Sequence, residues 1–108
     1  MEENELVGSA FAAAGLVNYQ VGAVVSRVVL KQKTGSVTVF AFDHGEELSE
    51  HTVPHDALIS VIDGEAEISV AGVPHRVRTG EMFILPGGEP HAVRAATRFK
   101  MVLVMIKP

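Results

Sequence analysis

Histidines are the residues of this chain best suited to chemistry. The sequence has five of them and no cysteine, so an imidazole rather than a thiolate would have to act as a base or a metal ligand. Taken one at a time, each is more often a surface or turn residue than a functional one. His75 lies between charged and turn residues and is interpreted as solvent-exposed. His44 follows a strand, and is either a turn residue or part of a cavity rim.

Gly80 to His91 has a regular spacing of glycine, proline and histidine. Gly80 is followed after five residues by Pro86-x-Gly88 and then, after two more, by His91. Because proline fixes φ and glycine permits a tight backbone path, this loop predicts one fixed direction for the His91 side chain. The segment resembles the second motif of the cupin family at all four positions, although Ala95 stands where an asparagine often follows.

The segment from Gly45 to Gly64 resembles the first cupin motif, a glycine, His-x-His, a glutamate and a closing glycine. His51 matches the first histidine, but Val53 and Ala57 stand where the second histidine and the glutamate would be. In metal-binding cupins the two histidines and the glutamate of the first motif hold the ion together with the histidine of the second motif. The resemblance therefore implies a site that keeps two of its four ligands.

His55 is a candidate for a replacement ligand. It shares the parity of His51 if that strand continues far enough, and His51, His55 and His91 would then form an open three-histidine site. Such a site suits Zn²⁺, Fe²⁺, Mn²⁺ or Ni²⁺, with His44 as a further ligand of lower weight. The alternative is that His55 and Asp56 form a polar turn at the mouth of a barrel.

Short strands separated by turn residues must position these side chains. The predicted strands are Ala23–Leu30, Ser36–Phe42, Leu48–Val53, Ala57–Ile62, Glu65–Val70, Pro74–Arg78, Met82–Leu85, His91–Arg94 and Phe99–Ile106. Asp63-Gly64 predicts a type I′ hairpin and Ala71-Gly72 a second tight turn. The pattern is all-β, and the resemblance implies a double-stranded β-helix, the jelly-roll barrel of cupins.

The N-terminal region differs from the rest. Asn4 to Gly15 predicts a short helix or a turn of helix, with Asn4 as a candidate cap. The chain therefore divides into an arm or short helix at residues 1–18 and a barrel domain at residues 19–108. Phe99–Ile106 is apolar on both faces, which predicts cover on both sides. The outer cover would be the arm or a second subunit, and a homodimer is expected.

Strand alternation also predicts an apolar pocket beside the histidines. Ala57 in place of a glutamate enlarges and dries this pocket, which suits a small, partly apolar ligand. No organic cofactor is expected. The predicted lining is Val53, Ala57, Ile59, Met82, Phe99 and Met101.

Composition excludes several functional classes. The net charge is −4 and no basic cluster is present, so nucleic-acid binding is not expected. The apolar run near the N-terminus is too short for a signal peptide or a membrane span. Without cysteine there is no disulfide scaffold. The chain is therefore expected to be a cytoplasmic protein that does not bind membranes.

Two functions from different classes follow. Resemblance to cupins implies an enzyme of dioxygenase or isomerase type, whose metal ion polarises a small substrate or activates water or oxygen. The incomplete ligand set favours the alternative, a non-catalytic module that binds or senses a small molecule. A purely structural protein is the least favoured reading, because the Pro86–His91 loop still aims His91 into a barrel.

Overall fold

The computed structural model describes residues 4–107, and these residues form nine strands and one turn of 3-10 helix. In chain order they are the 3-10 turn Ala13–Leu16, β1 (Val24–Gln32), β2 (Gly35–Phe42), β3 (Glu47–His51), β4 (Ala57–Asp63), β5 (Glu65–Val70), β6 (Val73–Arg78), β7 (Met82–Leu85), β8 (His91–Ala95) and β9 (Phe99–Ile106). One sheet has the order β1-β2-β9-β4-β7 and the other β3-β8-β5-β6. Within each sheet all neighbouring strands are antiparallel. The two sheets form the expected double-stranded β-helix.

The strand predictions are confirmed, with ends that differ by no more than two residues from those expected. The helical segment predicted from Asn4 to Gly15 is present only as one turn, and the cap predicted at Asn4 is wrong. The only helical part of this segment is the 3-10 turn, which has no side-chain cap, and Gly8 with φ +82° leaves the helical region. Asn4 instead accepts from the Leu6 N–H and donates to the Val29 carbonyl on β1.

The interior between the sheets is filled with apolar side chains at one end. Phe42 and Phe99 are fully buried and their rings stack with centroids 4.5 Å apart. Ile68 and Val61 pack in the same cluster. At about 3.4 Å per residue, Phe99 lies roughly 20 Å along β9 from Met105. The aromatic end and the Met105 end of the barrel are therefore well separated.

The Asp63-Gly64 hairpin prediction is wrong, because β4 and β5 belong to different sheets. Only Gly64 has positive φ there, +72°, whereas a type I′ turn needs positive φ at both central residues. The segment carries the chain from one sheet to the other. The type I′ turn is found at Ala71 (φ 49°) and Gly72 (φ 80°), which join the paired strands β5 and β6.

The N-terminal segment covers part of the outer face of the five-stranded sheet. Val17 is buried there with Val39 and Ala41, and Val102 of β9 packs against them. The Lys100 ammonium donates to the Ala14 carbonyl at 2.7 Å. The arm therefore supplies one part of the cover that β9 needs. Within residues 4–107, no helix is long and apolar enough to cross a membrane.

Candidate functional site

The fold brings His51 and His91 face to edge on neighbouring strands. His51 ends β3, His91 begins β8, and the two are direct cross-strand partners. Their ring centroids are 4.4 Å apart with an interplanar angle of 66°. The register of β3 shifts between Leu48 and His51. Because of this bulge, the side chains of Leu48 and His51 both face the interior although the two residues are three positions apart.

Two loops at the mouth of the barrel hold the histidine pair in place. We call residues 52–56 and 86–90 the mouth loops. The Gly88 N–H donates to the Val53 carbonyl, and the Gly87 N–H donates to Asp56 Oδ1, both at 2.8 Å. A Cβ at Gly87 would lie 2.7 Å from the Pro54 carbonyl oxygen. Glycine is therefore required for the approach of the loop that leads into His91.

His51 lies at the solvent side of this pair. His51 is exposed to solvent, and its Nδ1 lies 2.9 Å from the carbonyl oxygen of Ser49. Because a carbonyl only accepts, we assign the proton to Nδ1, which leaves Nε2 as the acceptor of the neutral ring.

His91 lies at the interior side and is only 3% exposed. Its Nδ1 is buried, without a hydrogen-bond partner among the described residues. Burial lowers the pKa of His91 from its ordinary value of about 6.5, and the neighbouring His51 lowers it further. His91 is therefore a neutral imidazole at neutral pH, with capacity to bond to a polar ligand atom.

The two rings border a cavity of about 50 Å³ inside the barrel. Nine apolar side chains complete the wall, and no lysine, arginine, aspartate or glutamate is among the described residues that line it. The apolar residues are Leu48, Val53, Ala57, Ile59, Leu85, Val93, Met101, Leu103 and Met105. Two larger hollows lie elsewhere on the surface, along β1 and beside the β1–β2 turn, and no histidine lines either. Of these three hollows, the small cavity is the one bordered by imidazoles.

The structure places four of the six predicted pocket residues in this wall: Val53, Ala57, Ile59 and Met101. The prediction is wrong for Met82, which is 66% exposed because it pairs with Ser60 and faces outward. It is also wrong for Phe99, which faces inward but is packed on Phe42 at the filled end.

His55 is not brought together with His51 and His91. It is half-buried in the first mouth loop, with its backbone against Gly87, and does not line the cavity. β3 ends at His51, so the strand parity on which the interpretation rested does not reach residue 55. His44 and His75 are exposed, and His75 packs on Phe83.

Sequence reasoning missed five wall residues: Leu48, Leu85, Val93, Leu103 and Met105. Leu103 and Met105 could have been found, because they share the parity of Met101 on β9. Leu48 could not, since only the bulge in β3 turns it to the same side as His51.

The side chains of this cavity do not fit a divalent transition metal. Across residues 4–107, no group of three or more histidine, cysteine, aspartate or glutamate side chains is arranged to hold an ion. Two imidazoles remain at the cavity, and Zn²⁺ and related ions take at least three protein ligands in known site types. Val53 and Ala57 offer no donor atom. The metal site at His51, His55 and His91 stays a prediction that this donor set does not support.

Comparison with known proteins agrees with the fold. Solved structures similar to the chain include a conserved protein of unknown function from Streptococcus pyogenes, 31% identical, with a TM-score of 0.91 over 98% of this chain and 93% of that one. A cupin 2 conserved barrel domain protein from Leptotrichia buccalis is 40% identical, with a TM-score of 0.84 over 87% of this chain. The chain spans about half of that protein, 46% of its length.

A cupin superfamily protein from Desulfitobacterium hafniense, 23% identical with a TM-score of 0.90 over 98% of this chain and 97% of that one, shares the fold. No curated protein matches the chain. The family model described as cupin domain matches residues 38–107, a range that includes both histidines and the whole cavity wall. The barrel, the mouth loops and this match together show that the chain belongs to the cupin family.

Proposed function

We propose that this cupin binds a small organic molecule in the barrel cavity and does not turn it over. The observation that carries the proposal is the composition of the cavity wall. Among residues 4–107, this wall has nine apolar side chains and only His51 and His91 as polar side chains. Small-molecule sites commonly combine a mostly apolar wall with a few polar groups that fix orientation. We assign this orienting role to the His91 ring, which lines the cavity.

The size of the cavity limits the ligand. A volume of about 50 Å³ is well below the roughly 300–1,000 Å³ typical of sites for drug-sized molecules. A ligand with few non-hydrogen atoms fits inside. A longer one must extend past the exposed ring of His51 at the mouth.

The wall offers little to a reaction. Enzymes gain much of their rate from groups that stabilise developing charge, such as cations, metal ions or aligned donors. Here the described residues of the cavity wall supply two imidazoles and neither a carboxylate nor a cationic side chain. This composition supports binding over the metal-dependent dioxygenase or isomerase activity, which would need a third ligand.

Methionine methyl groups provide a direct test by NMR. Met101 and Met105 line the cavity, whereas Met82 is exposed on the outer face and serves as an internal control. Protein labelled with ¹³C at methionine methyls is titrated with small neutral alcohols and ketones such as isobutanol and butanone. We expect saturable shifts at Met101 and Met105 and none at Met82.

Substitution of His91 then tests the polar contact. His91→Leu replaces the imidazole with an apolar side chain of similar size. This change should weaken isobutanol binding about tenfold, because the hydroxyl of the alcohol is left without a hydrogen-bond partner. His75→Leu removes an exposed histidine outside the cavity and should bind as wild type does. Shifts that are equal at all three methyls, or that rise without saturation for every probe, would overturn the proposal.

A further inference from the structure

We infer that Val53 and Ala57 decide which class of ligand this barrel accepts, an uncharged organic molecule in place of a divalent cation. The inference rests on the proposed function and adds the charge of the ligand and the residues that set it.

The geometry puts four side chains around one space. His51 comes from the end of β3, Val53 from the first mouth loop, Ala57 from the start of β4, and His91 from the start of β8. All four line the same cavity. Val53 and Ala57 are therefore placed where a donor atom would share a ligand with the two imidazoles, and each presents only carbon.

The electrostatics of the wall disfavour a cation. A divalent ion loses its hydration when it enters the cavity, and apolar side chains do not offset the free energy of that desolvation. Offsetting this cost would require several donors, preferably with negative charge, and the described wall residues supply two imidazole rings.

The same wall disfavours an anion. No lysine or arginine is among the described residues that line the cavity, so a carboxylate or phosphate would enter without a counter-charge. His91 could supply one only by taking a proton, and its burial opposes this. An uncharged ligand with one hydroxyl, carbonyl or amide group avoids both costs.

Three probes with the same carbon skeleton test the charge preference: isobutanol, isobutyrate and isobutylamine. The measurement is the methyl shift of Met101 and Met105 at neutral pH. Isobutanol should bind, and the two charged probes should bind at least about tenfold more weakly because their charge must be desolvated. Isobutyrate or isobutylamine binding as tightly as isobutanol overturns the inference and leaves the binding function intact.

An exchange of ligand class tests the two residues. The variant Val53→His/Ala57→Glu adds an imidazole and a carboxylate to the existing pair. After chelator treatment and exposure to Zn²⁺, untagged protein is separated by gel filtration and its zinc is measured by mass spectrometry. We expect about one zinc per chain in the variant and less than about a tenth of that in wild type. The variant should also lose isobutanol binding.

Two further variants keep the result interpretable. Met82→His/Ile84→Glu places the same residue types on the exposed outer face of β7 and should gain no zinc and retain isobutanol. Val53→His alone, at a half-buried position, provides a third imidazole with little risk to folding if the double variant does not fold.

The outcomes separate the two proposals. Stoichiometric zinc in wild type, or no zinc in either folded variant at position 53, overturns the inference. No isobutanol binding by wild type, with zinc gained by the variants, overturns the proposed function and leaves Val53 and Ala57 as the residues that exclude the ion.

Discussion

At the scale of single residues, the buried imidazole of His91 links the cavity to pH. Its pKa is lowered in the folded protein by burial and by His51, whereas the unfolded chain has the ordinary value of about 6.5. Between these two pKa values the unfolded state binds more protons. The free energy of unfolding therefore falls as the pH drops below about 6.5, and this loss ends below the pKa of the folded state.

Urea unfolding between about pH 8 and pH 5 measures this effect. Wild type should lose stability toward the acid side, and His91→Leu should lose less over the same range. His75→Leu, the change of an exposed histidine outside the cavity, should retain the wild-type dependence. Equal slopes for wild type and His91→Leu would show that His91 does not bind a proton more weakly when folded.

The sequence predicted whether a side chain points into the barrel better than it predicted whether that side chain lines the cavity or packs in the filled end. Alternation placed Ile59 and Met101 inward, and both line the cavity. It also placed Phe99 inward, but could not show that Phe42 fills that end of the barrel. Whether an inward side chain lines the cavity depends on which parts of the space between the two sheets are filled by side chains from other strands. That is a property of contacts across the barrel, which the pattern within one strand does not contain.

At the scale of elements, the crossing from β4 to β5 depends on Gly64. A Cβ there would lie 2.0 Å from the Arg98 carbonyl oxygen and 2.9 Å from the Phe99 Cα. Both are backbone atoms, so they cannot turn aside. Gly64→Ala should lower the free energy of unfolding by about 3 kcal/mol, from the positive φ and the forced displacement together.

Gly72 is the matched control for this substitution. It also has positive φ, +80°, but a Cβ at this position would meet no other atom within 4 Å. Gly72→Ala should therefore cost only about 1 kcal/mol, the conformational part alone. Chemical denaturation of both variants gives the two values, and similar losses would contradict the crowding at Gly64. The sequence marked both turns with glycine but could not show which one joins two sheets.

The N-terminal segment is attached to the sheet through Tyr19. Its hydroxyl donates to Asp63, and Lys100 Nζ lies 4.9 Å from the centre of its ring. Burial, followed by the bond to Asp63, raises the pKa of Tyr19, so the hydroxyl remains a donor at any working pH. Tyr19→Phe keeps the ring and should lower the free energy of unfolding by about 1 kcal/mol. Tyr19→Leu also removes the cation–π contact and should lose more in the same denaturation assay.

At the scale of the whole molecule, the outer face of the larger sheet is only partly covered. Cross-strand pairing places five apolar side chains in one row over all five strands. We call Leu30, Val37, Val104, Leu58 and Ile84 the outer row. The N-terminal segment packs beside this row, over Val39 and Val102. Ile84 is 64% exposed and Leu30 47%.

The homodimer expected from the two apolar faces of β9 stays a prediction, and the outer row is where it can be tested. Ile84→Glu places a charge in the row and should halve the mass measured by light scattering after gel filtration. The reason is that burial of this charge in an apolar interface would cost desolvation free energy and destabilise the dimer. Val21→Glu changes an exposed valine in the turn before β1 and should leave the mass unchanged. A monomeric wild type would show that the row needs no second copy.

The mouth loops join parts of the chain that are about thirty residues apart, through Asp56 to the Gly87 N–H and Val53 to the Gly88 N–H. Neither loop can move away without breaking hydrogen bonds to the other. Under the proposed function, a ligand that leaves between these loops therefore does so only when both move together. The strength of this connection would then contribute to how long the proposed ligand stays inside, in addition to how well the cavity wall suits it.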